Sequence, residues 1–411
     1  MMINMEEKTC VKVVLIGVGG YGKFYLREME KRTQDPSVIL EGVCDVMPDV
    51  EKQNPFLLEH GIPVYREIEQ FYEEHDADLA VISTPIPLHF EQVVKCLKHG
   101  SDVLIEKPLC SSVEEALEMA QIEKETGHFV AVGYQMNYSP VTRELKNRIL
   151  NGEFGNPVVL KTIHGFKRGK AYYHRNNWAG KRTLHGHLVN DSPVNNSNAH
   201  QFQNMLFLLG DQMDHSAAVT EVKAELYRTD PEVENFDTAA LCVRTASGVP
   251  VWYYTTHNCL HEELGPVSEF HFEKAVIRLN PERIDHEHGN YQICWKDGRV
   301  EEAGAMPESG ESFKLDEAIT CAKKNQNGEK QHPVCTIQAA LSHLETVRRL
   351  SEMEICDIDR DMVEEEHING GIYYHVKNIE KVFSDCFDQE KYPSQVMSGW
   401  KYIMKIPNNS I

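Results

Sequence analysis

A glycine-rich segment near the N-terminus has the residue types and spacing of a dinucleotide site. It matches G-x-G-x-x-G with Gly17, Val18, Gly19, Gly20, Tyr21 and Gly22. The segment follows an apolar run and opens a helical pattern, which is the context that the motif requires. Gly17 permits a tight turn, Gly19 lets the backbone approach a pyrophosphate, and Gly22 allows close packing of helix on strand. The helix N-terminus adds N–H groups that favour an anion.

Asp45 ends the second apolar run, 23 residues after Gly22. A carboxylate here suits hydrogen bonds from ribose hydroxyls and would repel a 2′-phosphate. No Arg or Lys follows Asp45 until Lys52. We therefore expect NAD as the cofactor in preference to NADP. The alternative is a glycine-rich turn followed by a solvated aspartate.

Alternating strands and helices must position this motif over the first third of the chain. Apolar runs predict strands at 11–16, 39–44, 79–82, 103–105 and 129–132. Helical patterns lie between them, and two of these end at Gly100 and Gly127. Such alternation predicts an α/β domain with a parallel, doubly wound sheet.

The pattern changes after about residue 136 to successive strands joined by short turns. Strands are predicted at 158–163, 219–227, 238–243, 249–256, 268–272, 275–279 and 291–295, and helices at 200–209 and 336–351. This favours an α+β domain with a large, mostly antiparallel sheet. We expect a nucleotide-binding domain at 1–136, a substrate and oligomerisation domain at 137–356, and a C-terminal extension at 357–411.

Composition and charge narrow the class of protein further. The net charge of −21 argues against a nucleic-acid partner, because phosphate binding needs clustered positive charge. No apolar stretch reaches the roughly 18 residues of a membrane span, and no secretory signal is expected. The 11 cysteines include no C-x-x-C pair, which favours free thiols and a cytoplasmic location.

Several motifs taken together resemble those of the Gfo/Idh/MocA oxidoreductases. They are the glycine motif, Asp45, Ser83-Thr84-Pro85 with His89, and Glu106-Lys107-Pro108, the last being the most specific. The resemblance extends to about residue 350. It implies a Rossmann domain, an open-faced sheet domain, NAD(P), and sugar, polyol or related substrates. It also implies homo-oligomers that pair through the second sheet.

The resemblance matches Lys107 to a lysine beside the nicotinamide and the reacting hydroxyl. An amine there could polarise a carbonyl or stabilise an alkoxide. His200 matches a histidine that can act as general acid and base; the alternative is a structural helix-face histidine. Asn196 stands where the family has an aspartate, and an amide cannot take a proton. Asp191, from the preceding loop, is a candidate for the missing carboxylate.

The same resemblance implies further contacts to cofactor and substrate. For the cofactor these are the glycine motif, Asp45, Thr84, Pro85, His89, Glu106, Lys107 and Gln135. For the substrate they are Lys107, Tyr134, Trp178, Asp191, Asn196 and His200. Asn137 stands where the family commonly has arginine, and the loss of that cation argues against an acidic substrate.

A basic stretch with interleaved aromatic rings interrupts the acidic chain. Its members are Lys161, His164, Lys167, Arg168, Lys170, Tyr172, Tyr173, His174, Arg175, Trp178, Lys181 and Arg182. A site for single-stranded nucleic acid is one interpretation, but a loop covering a sugar pocket fits better. His185 and His187 match no strong zinc pattern, so no metal is expected.

These residues together favour an NAD(P)-dependent dehydrogenase of a sugar, polyol or sugar derivative. One alternative is a glycoside-cleaving enzyme that oxidises a sugar hydroxyl transiently, eliminates the glycosidic bond and returns the hydride. Another is a non-catalytic sensor of dinucleotide and sugar. The expected partners are a small-molecule substrate and further copies of the chain, with no nucleic acid and no membrane.

Overall fold

The computed structural model describes residues 10–280, 289–305 and 311–400, and within them the chain divides into two units. Unit 1 holds the described residues up to Ser139 and those from 311 to Leu341. Unit 2 holds the described residues of Pro140–Pro307 and those from Ser342 onward. Residues 1–9 of the predicted first domain and 401–411 of the predicted extension lie outside the described residues.

Strands and helices are numbered here in chain order. The strands are β1 (Val11–Ile16), β2 (Val38–Cys44), β3 (Val64–Tyr65), β4 (Leu79–Ile82), β5 (Asp102–Ile105), β6 (Val130–Val132), β7 (Pro157–Lys167), β8 (Thr183–Leu184), β9 (His187–Leu188), β10 (Val219–Arg228), β11 (Thr238–Thr245), β12 (Pro250–Thr256), β13 (Asn258–Phe272), β14 (Ala275–Leu279), β15 (Asn290–Trp295), β16 (Val300–Ala305), β17 (Ile355–Asp357), β18 (Val363–Ile368) and β19 (Gly371–Val376). The helices are α1 (Gly22–Lys31), α2 (Val50–Gln53), α3 (Pro55–Glu59), α4 (Ile68–Glu74), α5 (His89–Lys98), α6 (Val113–Thr126), α7 (Pro140–Leu150), α8 (Lys170–Tyr173), α9 (Ala199–Leu208), α10 (Phe313–Gln326), α11 (Ile337–Ser351), α12 (Ile379–Gln389) and α13 (Pro393–Val396).

Unit 1 contains a six-stranded parallel sheet with the order β3-β2-β1-β4-β5-β6. Every residue of β4 and β5 is buried, as a strand covered on both faces requires. This confirms the predicted doubly wound parallel sheet. The carboxyl ends of β1, β4 and β5 bring the loops that follow them to one edge, where such sheets bind ligands.

Helix α10 belongs to unit 1, although the sequence analysis assigned residues 137–356 to the second domain. Its residues Leu315, Ala318 and Ala322 repeat at helical spacing and are buried in the core of the parallel sheet. The chain therefore returns to unit 1 after the second sheet. This return matters for the site, because α10 carries Lys314.

Unit 2 is built on a nine-stranded sheet with the order β16-β15-β14-β13-β7-β12-β11-β10-β17. Its neighbours are antiparallel except β7 with β12 and β10 with β17, which agrees with the predicted mostly antiparallel sheet. One face packs on α9 through Phe202, Met205 and Leu206, and on Val347 of α11. No helix within the described residues has the length and apolar character to span a membrane.

The other face of this sheet is covered by the C-terminal segment 358–400, which the sequence analysis left without assigned structure. Helix α12 buries an apolar stripe at helical spacing, Ile379, Val382, Phe383, Cys386 and Phe387, against strands β7 and β10–β13. Trp400 packs edge-on against Tyr227 of β10 with ring centroids 4.8 Å apart. The face that the resemblance implies to be open is thus covered over these strands.

Candidate functional site

The glycine motif forms the turn between β1 and α1, and two of its glycines are sterically required. A Cβ on Gly22 would lie 2.1 Å from the carbonyl oxygen of Gly17. Gly17 has φ +81°, and a Cβ there would lie 3.0 Å from the carbonyl oxygen of Ser83. At Gly19 a Cβ would approach only the Met47 side chain, at 3.2 Å. The backbone at Gly19 is thus accessible to a ligand, as a pyrophosphate cradle requires.

Asp45 closes the other side of this turn. Its Oδ2 accepts a hydrogen bond from the Val18 N–H at 2.8 Å, and its Oδ1 accepts one from the Met47 N–H at 2.8 Å. Each carboxylate oxygen keeps a second lone pair for a ribose hydroxyl. Arg66 lies nearby but donates to the backbone carbonyls of Asp45, at 2.9 Å, and of Met47. Sequence reasoning missed Arg66, which follows the two-residue strand β3.

The loop after β4 holds Thr84, which is half-buried, and Pro85, which is exposed. Thr84 Oγ1 donates to Gln92 Oε1 at 2.5 Å. His89 is only 1% exposed, and its ring nitrogens face the carbonyl oxygens of Thr84 at 2.8 Å and Pro108 at 3.0 Å. Burial lowers the pKa of His89. The ring joins the loop after β4 to the loop after β5, so His89 positions both.

Glu106 is buried at the edge of the parallel sheet where the loops after β1, β4 and β5 meet. Its Oε1 accepts hydrogen bonds from Tyr25 Oη at 2.6 Å and from Lys314 Nζ, and its Oε2 accepts one from the Lys107 N–H at 3.2 Å. Burial acts to raise the pKa of Glu106, but the Lys314 ammonium outweighs it and the pKa is lowered. Lys314 Nζ also lies 4.6 Å from the centroid of the Tyr21 ring. Sequence reasoning missed Lys314, which is more than 200 residues away along the chain.

Lys107 and the residues after β6 complete this edge. Lys107 is half-buried at the end of β5 and its backbone N–H is held by Glu106. Gln135, half-buried, opens a short 3₁₀ turn, Gln135–Tyr138. Tyr134 is only 1% exposed, so the structure buries this predicted substrate contact. Asn137 is fully buried and donates to Cys335 Sγ at 3.2 Å.

In unit 2 the structure brings Asp191 and Asn196 together. Asn196 Nδ2 donates to Asp191 Oδ1 at 2.7 Å, and the Gly180 N–H donates to Asp191 Oδ2 at 2.6 Å. Asp191 is 2% exposed, so its carboxylate is a buried acceptor that orients the amide. His200 is half-buried in the first turn of α9, four residues after Asn196. The predicted carboxylate is thus present beside Asn196.

A hydroxyl–imidazole–hydroxyl chain lies next to Asn196. The sequence offers His257 either as a residue lining the cleft or as part of its polar rim, but does not reveal its two hydroxyl partners. His257, 2% exposed, contacts Tyr173 Oη through Nδ1 at 2.7 Å and Ser197 Oγ through Nε2 at 2.5 Å. Burial lowers the pKa of His257 far below its ordinary value, and the charges of Arg168 and Arg175 lower it further. His257 is therefore neutral near pH 7 and links two hydroxyls as donor to one and acceptor from the other.

The basic stretch is only partly the loop that the sequence predicted. Lys161, His164 and Lys167 lie within β7 and are buried, because this strand runs on to Lys167. Arg175 and Trp178 belong to the loop beyond α8, where the Arg175 guanidinium lies 5.0 Å from the Trp178 ring. His185 and His187 are exposed on the β8–β9 hairpin. Within the described ranges no three His, Cys, Asp or Glu residues form a group that could hold a metal ion.

Comparison with known proteins decides the family. A family model described as "Oxidoreductase family, NAD-binding Rossmann fold" matches residues 11–134, and one described as "GFO/IDH/MocA C-terminal domain" matches residues 142–278. Together they match more than half of the chain. The chain belongs to the Gfo/Idh/MocA oxidoreductase family.

Two curated Gfo/Idh/MocA relatives match part of the chain. Inositol 2-dehydrogenase from Mycolicibacterium smegmatis is 32% identical over 158 residues, which are 38% of this chain and 44% of that protein. The scyllo-inositol 2-dehydrogenase (NAD(+)) from Bacillus subtilis is 30% identical over 159 residues, again 38% of this chain and 44% of that protein. The chain thus spans somewhat less than half the length of these curated relatives.

The fold of the family also appears in a solved structure. The WlbA dehydrogenase from Bordetella pertussis, determined in complex with NADH and UDP-GlcNAcA, superposes with a TM-score of 0.66 at 20% identity. The match covers 84% of this chain and 97% of that one. At this identity the likeness establishes the fold of a Gfo/Idh/MocA protein and no more.

Removing the cation beside Glu106 should destabilise unit 1. Lys314→Met leaves a buried carboxylate without its counter-charge, so we expect the free energy of unfolding to fall by about 3–5 kcal/mol. Urea unfolding measures this loss. Lys323→Met, on a partly exposed lysine of the same helix, is the control. A loss no larger than that of Lys323→Met would contradict the assigned role.

Stability should also respond to the protonation of His257. The folded-state pKa of His257 is lowered, so the neutral imidazole favours the folded state. This contribution to the free energy of unfolding is complete above the unfolded-state pKa of about 6.5 and is lost as the pH falls below it. Below that pH the free energy of unfolding falls by up to about 1.4 kcal/mol per pH unit. Unfolding free energies measured from about pH 7.5 to about pH 5.5 should fall less steeply for His257→Gln than for the wild type. The exposed-site control His185→Gln should keep the wild-type slope; identical slopes in all three proteins would reject the prediction.

Proposed function

We propose that this protein is an NAD-dependent dehydrogenase that moves a hydride between a sugar, polyol or sugar-derivative hydroxyl and the nicotinamide. One observation carries the proposal: the buried Glu106–Lys314 pair fixes the peptide that presents Lys107 at the ligand edge of a dinucleotide-binding sheet. Family membership and the names of the inositol dehydrogenase relatives support the same reaction class.

The glycine turn and Asp45 support NAD as the cofactor. Gly19 leaves its backbone accessible, and Gly17 and Gly22 hold the turn in place. Asp45 offers both carboxylate oxygens to ribose hydroxyls and would repel a 2′-phosphate. Arg66 lies close to Asp45, but its guanidinium donates to the backbone carbonyls of Asp45 and Met47. Thr84, Pro85, Glu106, Lys107 and Gln135 are the further cofactor contacts that we propose.

Lys107 and His200 are the proposed catalytic residues. NAD, when bound, supplies the hydride-accepting chemistry. The Lys107 ammonium would stabilise negative charge that develops on the substrate oxygen. The His200 imidazole would take the hydroxyl proton as the carbonyl forms, and return it in the reverse direction.

Unit 2 supplies polar groups suited to a polyhydroxylated substrate. The Asn196 amide donates to Asp191, which orients it, and an amide oxygen can accept a hydrogen bond from a substrate hydroxyl. Trp178 is half-buried and offers a ring on which a sugar face can stack. We propose Asp191 as the residue that positions Asn196, whereas the burial of Tyr134 favours a structural role for that ring.

The test of the reaction is NADH formation by the wild type over a panel of sugars, inositols and other polyols. Lys107→Met should lower turnover by roughly 10²- to 10⁴-fold, because the charge that stabilises the alkoxide is lost. NAD binding, followed by fluorescence titration, should persist in this variant. Lys98→Met, on an exposed lysine of α5, is the matched control and should keep full activity.

One result would reject the role of Lys107, and two others would reject this function. NADH formation that persists in Lys107→Met would remove the proposed catalytic residue. Glycoside cleavage without net NADH would favour the redox-neutral alternative. Binding of NAD and sugar with no hydride transfer for any panel member would favour a sensor.

We also propose that the chain forms a homo-oligomer through the second sheet, and that it works in the cytoplasm. The C-terminal segment covers β7 and β10–β13, so pairing would use β14–β16, where Val276 and Cys294 are partly exposed. Light scattering on the purified protein should give a multiple of the 47.0 kDa chain mass, and Val276→Lys should reduce it. A monomeric mass would reject the assembly. The cytoplasmic location is in keeping with eleven free cysteines.

A further inference from the structure

The basic stretch of unit 2 is almost fully neutralised by its surroundings. Most of its cations have an acidic or carbonyl partner within the protein. The pairs are Lys161 with Glu269 at 3.5 Å, His164 with Glu263 at 3.0 Å, Lys167 with Glu366 at 2.7 Å, Lys170 with Glu232 at 2.7 Å, Arg175 with Asp191 at 3.8 Å, and Arg182 with the Ser351 carbonyl.

Lys181 is exposed to solvent, so Arg168 is the exception among the buried and half-buried cations of the stretch. Arg168 follows β7 directly. Its backbone N–H donates to the His257 carbonyl oxygen at 2.9 Å, which holds the Arg168 backbone beside the hydroxyl–imidazole chain. Its guanidinium lies 4.6 Å from the Phe166 ring and 5.0 Å from the Tyr172 ring. Over residues 10–280, 289–305 and 311–400 its buried Nε has no hydrogen-bond partner and its side chain forms no ion pair.

A half-buried, unpaired guanidinium is unexpected in a chain of net charge −21, where acidic side chains are abundant. The two aromatic rings hold the group in place through cation–π contacts but leave its charge uncompensated. A guanidinium presents a planar fork of N–H donors that matches a carboxylate or a phosphate. An oxyanion is the ligand that this donor fork would suit.

Arg175 places a second cation against the same ring, with its guanidinium 3.7 Å from the Tyr172 centroid. The groups facing this place are the two arginines, Asp191, Tyr172 and the imidazole of His257. Asp191 is the one carboxylate among them, and it already accepts from the Gly180 N–H and from Asn196. Two cations face one carboxylate that is already engaged, so the charge at this place is net positive. Burial lowers the pKa of His257, and the two arginines lower it further.

We propose that Arg168, assisted by Arg175, binds an anionic substituent of the substrate, a carboxylate or a phosphate, so that the enzyme acts on an acidic sugar derivative. The assignment rests on the proposed dehydrogenase function. It also reverses the expectation of a non-acidic substrate that the sequence analysis drew from Asn137. Arg168 would be a specificity residue that contacts substrate, separate from the proton transfer assigned to Lys107 and His200.

Calorimetric binding to the NAD-loaded full chain tests the assignment. The probes are neutral aldoses, each compared with its uronic acid and its phosphate ester, and inositols, each compared with its phosphate ester. We expect at least one anionic probe to bind roughly 10- to 100-fold more tightly than its neutral parent, the range for a hydrogen-bonded charge. The uronic acid and the phosphate arms identify which oxyanion the site takes. Added salt should weaken the preferred interaction.

Two Arg168 variants separate recognition from folding. Arg168→Gln should remove the anionic preference and leave binding of neutral probes unchanged. Arg168→Lys keeps the charge but loses the planar fork, so it should recover part of the preference. Arg244→Gln, on an exposed arginine of β11, is the matched control and should behave as the wild type.

The outcomes distinguish this proposal from the dehydrogenase proposal. Neutral and anionic probes that bind equally, anionic probes that do not bind, or an Arg168→Gln protein that matches Arg244→Gln would each overturn the role of Arg168. NADH formation from a neutral polyol would meanwhile keep the dehydrogenase assignment. An anionic preference that depends on Arg168, in a protein that never forms NADH, would keep the site and reject the reaction.

Discussion

A carboxylate enclosed in an α/β core must be compensated, and the fold of unit 1 is arranged around that requirement at Glu106. Tyr25, Lys314 and the Lys107 N–H each donate to this side chain. These donors come from α1, α10 and the end of β5, so one carboxylate ties the helix after the glycine turn to a helix from the far end of the chain. An unpaired buried charge would cost several kcal/mol, which gives the arrangement little freedom.

The same requirement explains why α10 returns to unit 1 after the chain has built a second sheet. Its apolar stripe needs a core to bury against, and Lys314 needs an acid. The position of Lys107 follows from this, because its peptide is anchored to the neutralised carboxylate. His89 restrains the same loop from the other side through the Pro108 carbonyl. Both restraints act on backbone groups of this loop.

Unit 2 meets the cost of burying polar groups by joining them to one another. Asp191 engages Asn196, and His257 engages Ser197 and Tyr173. The Asn196 amide is oriented by the buried Asp191 carboxylate. Arg168 stands apart because its guanidinium lies against two aromatic rings and forms no ion pair with any residue that the structure describes. The C-terminal segment adds a second layer to the sheet and so changes which surface remains for assembly.

Local patterns in the sequence determined the parallel sheet, the glycine turn, Asp45 and the Glu106-Lys107-Pro108 motif, since apolar runs and short motifs depend only on near neighbours along the chain. The apolar stripe of α12, at helical spacing from Ile379 to Phe387, is also a local pattern, although the sequence analysis assigned no structure to this segment. The tertiary structure alone decided that Lys314 neutralises Glu106, that His257 reaches Ser197, and that Arg168 forms no ion pair within the described part of the chain. These contacts join residues far apart in sequence, and a charge or hydrogen bond acts over distance in space rather than along the chain.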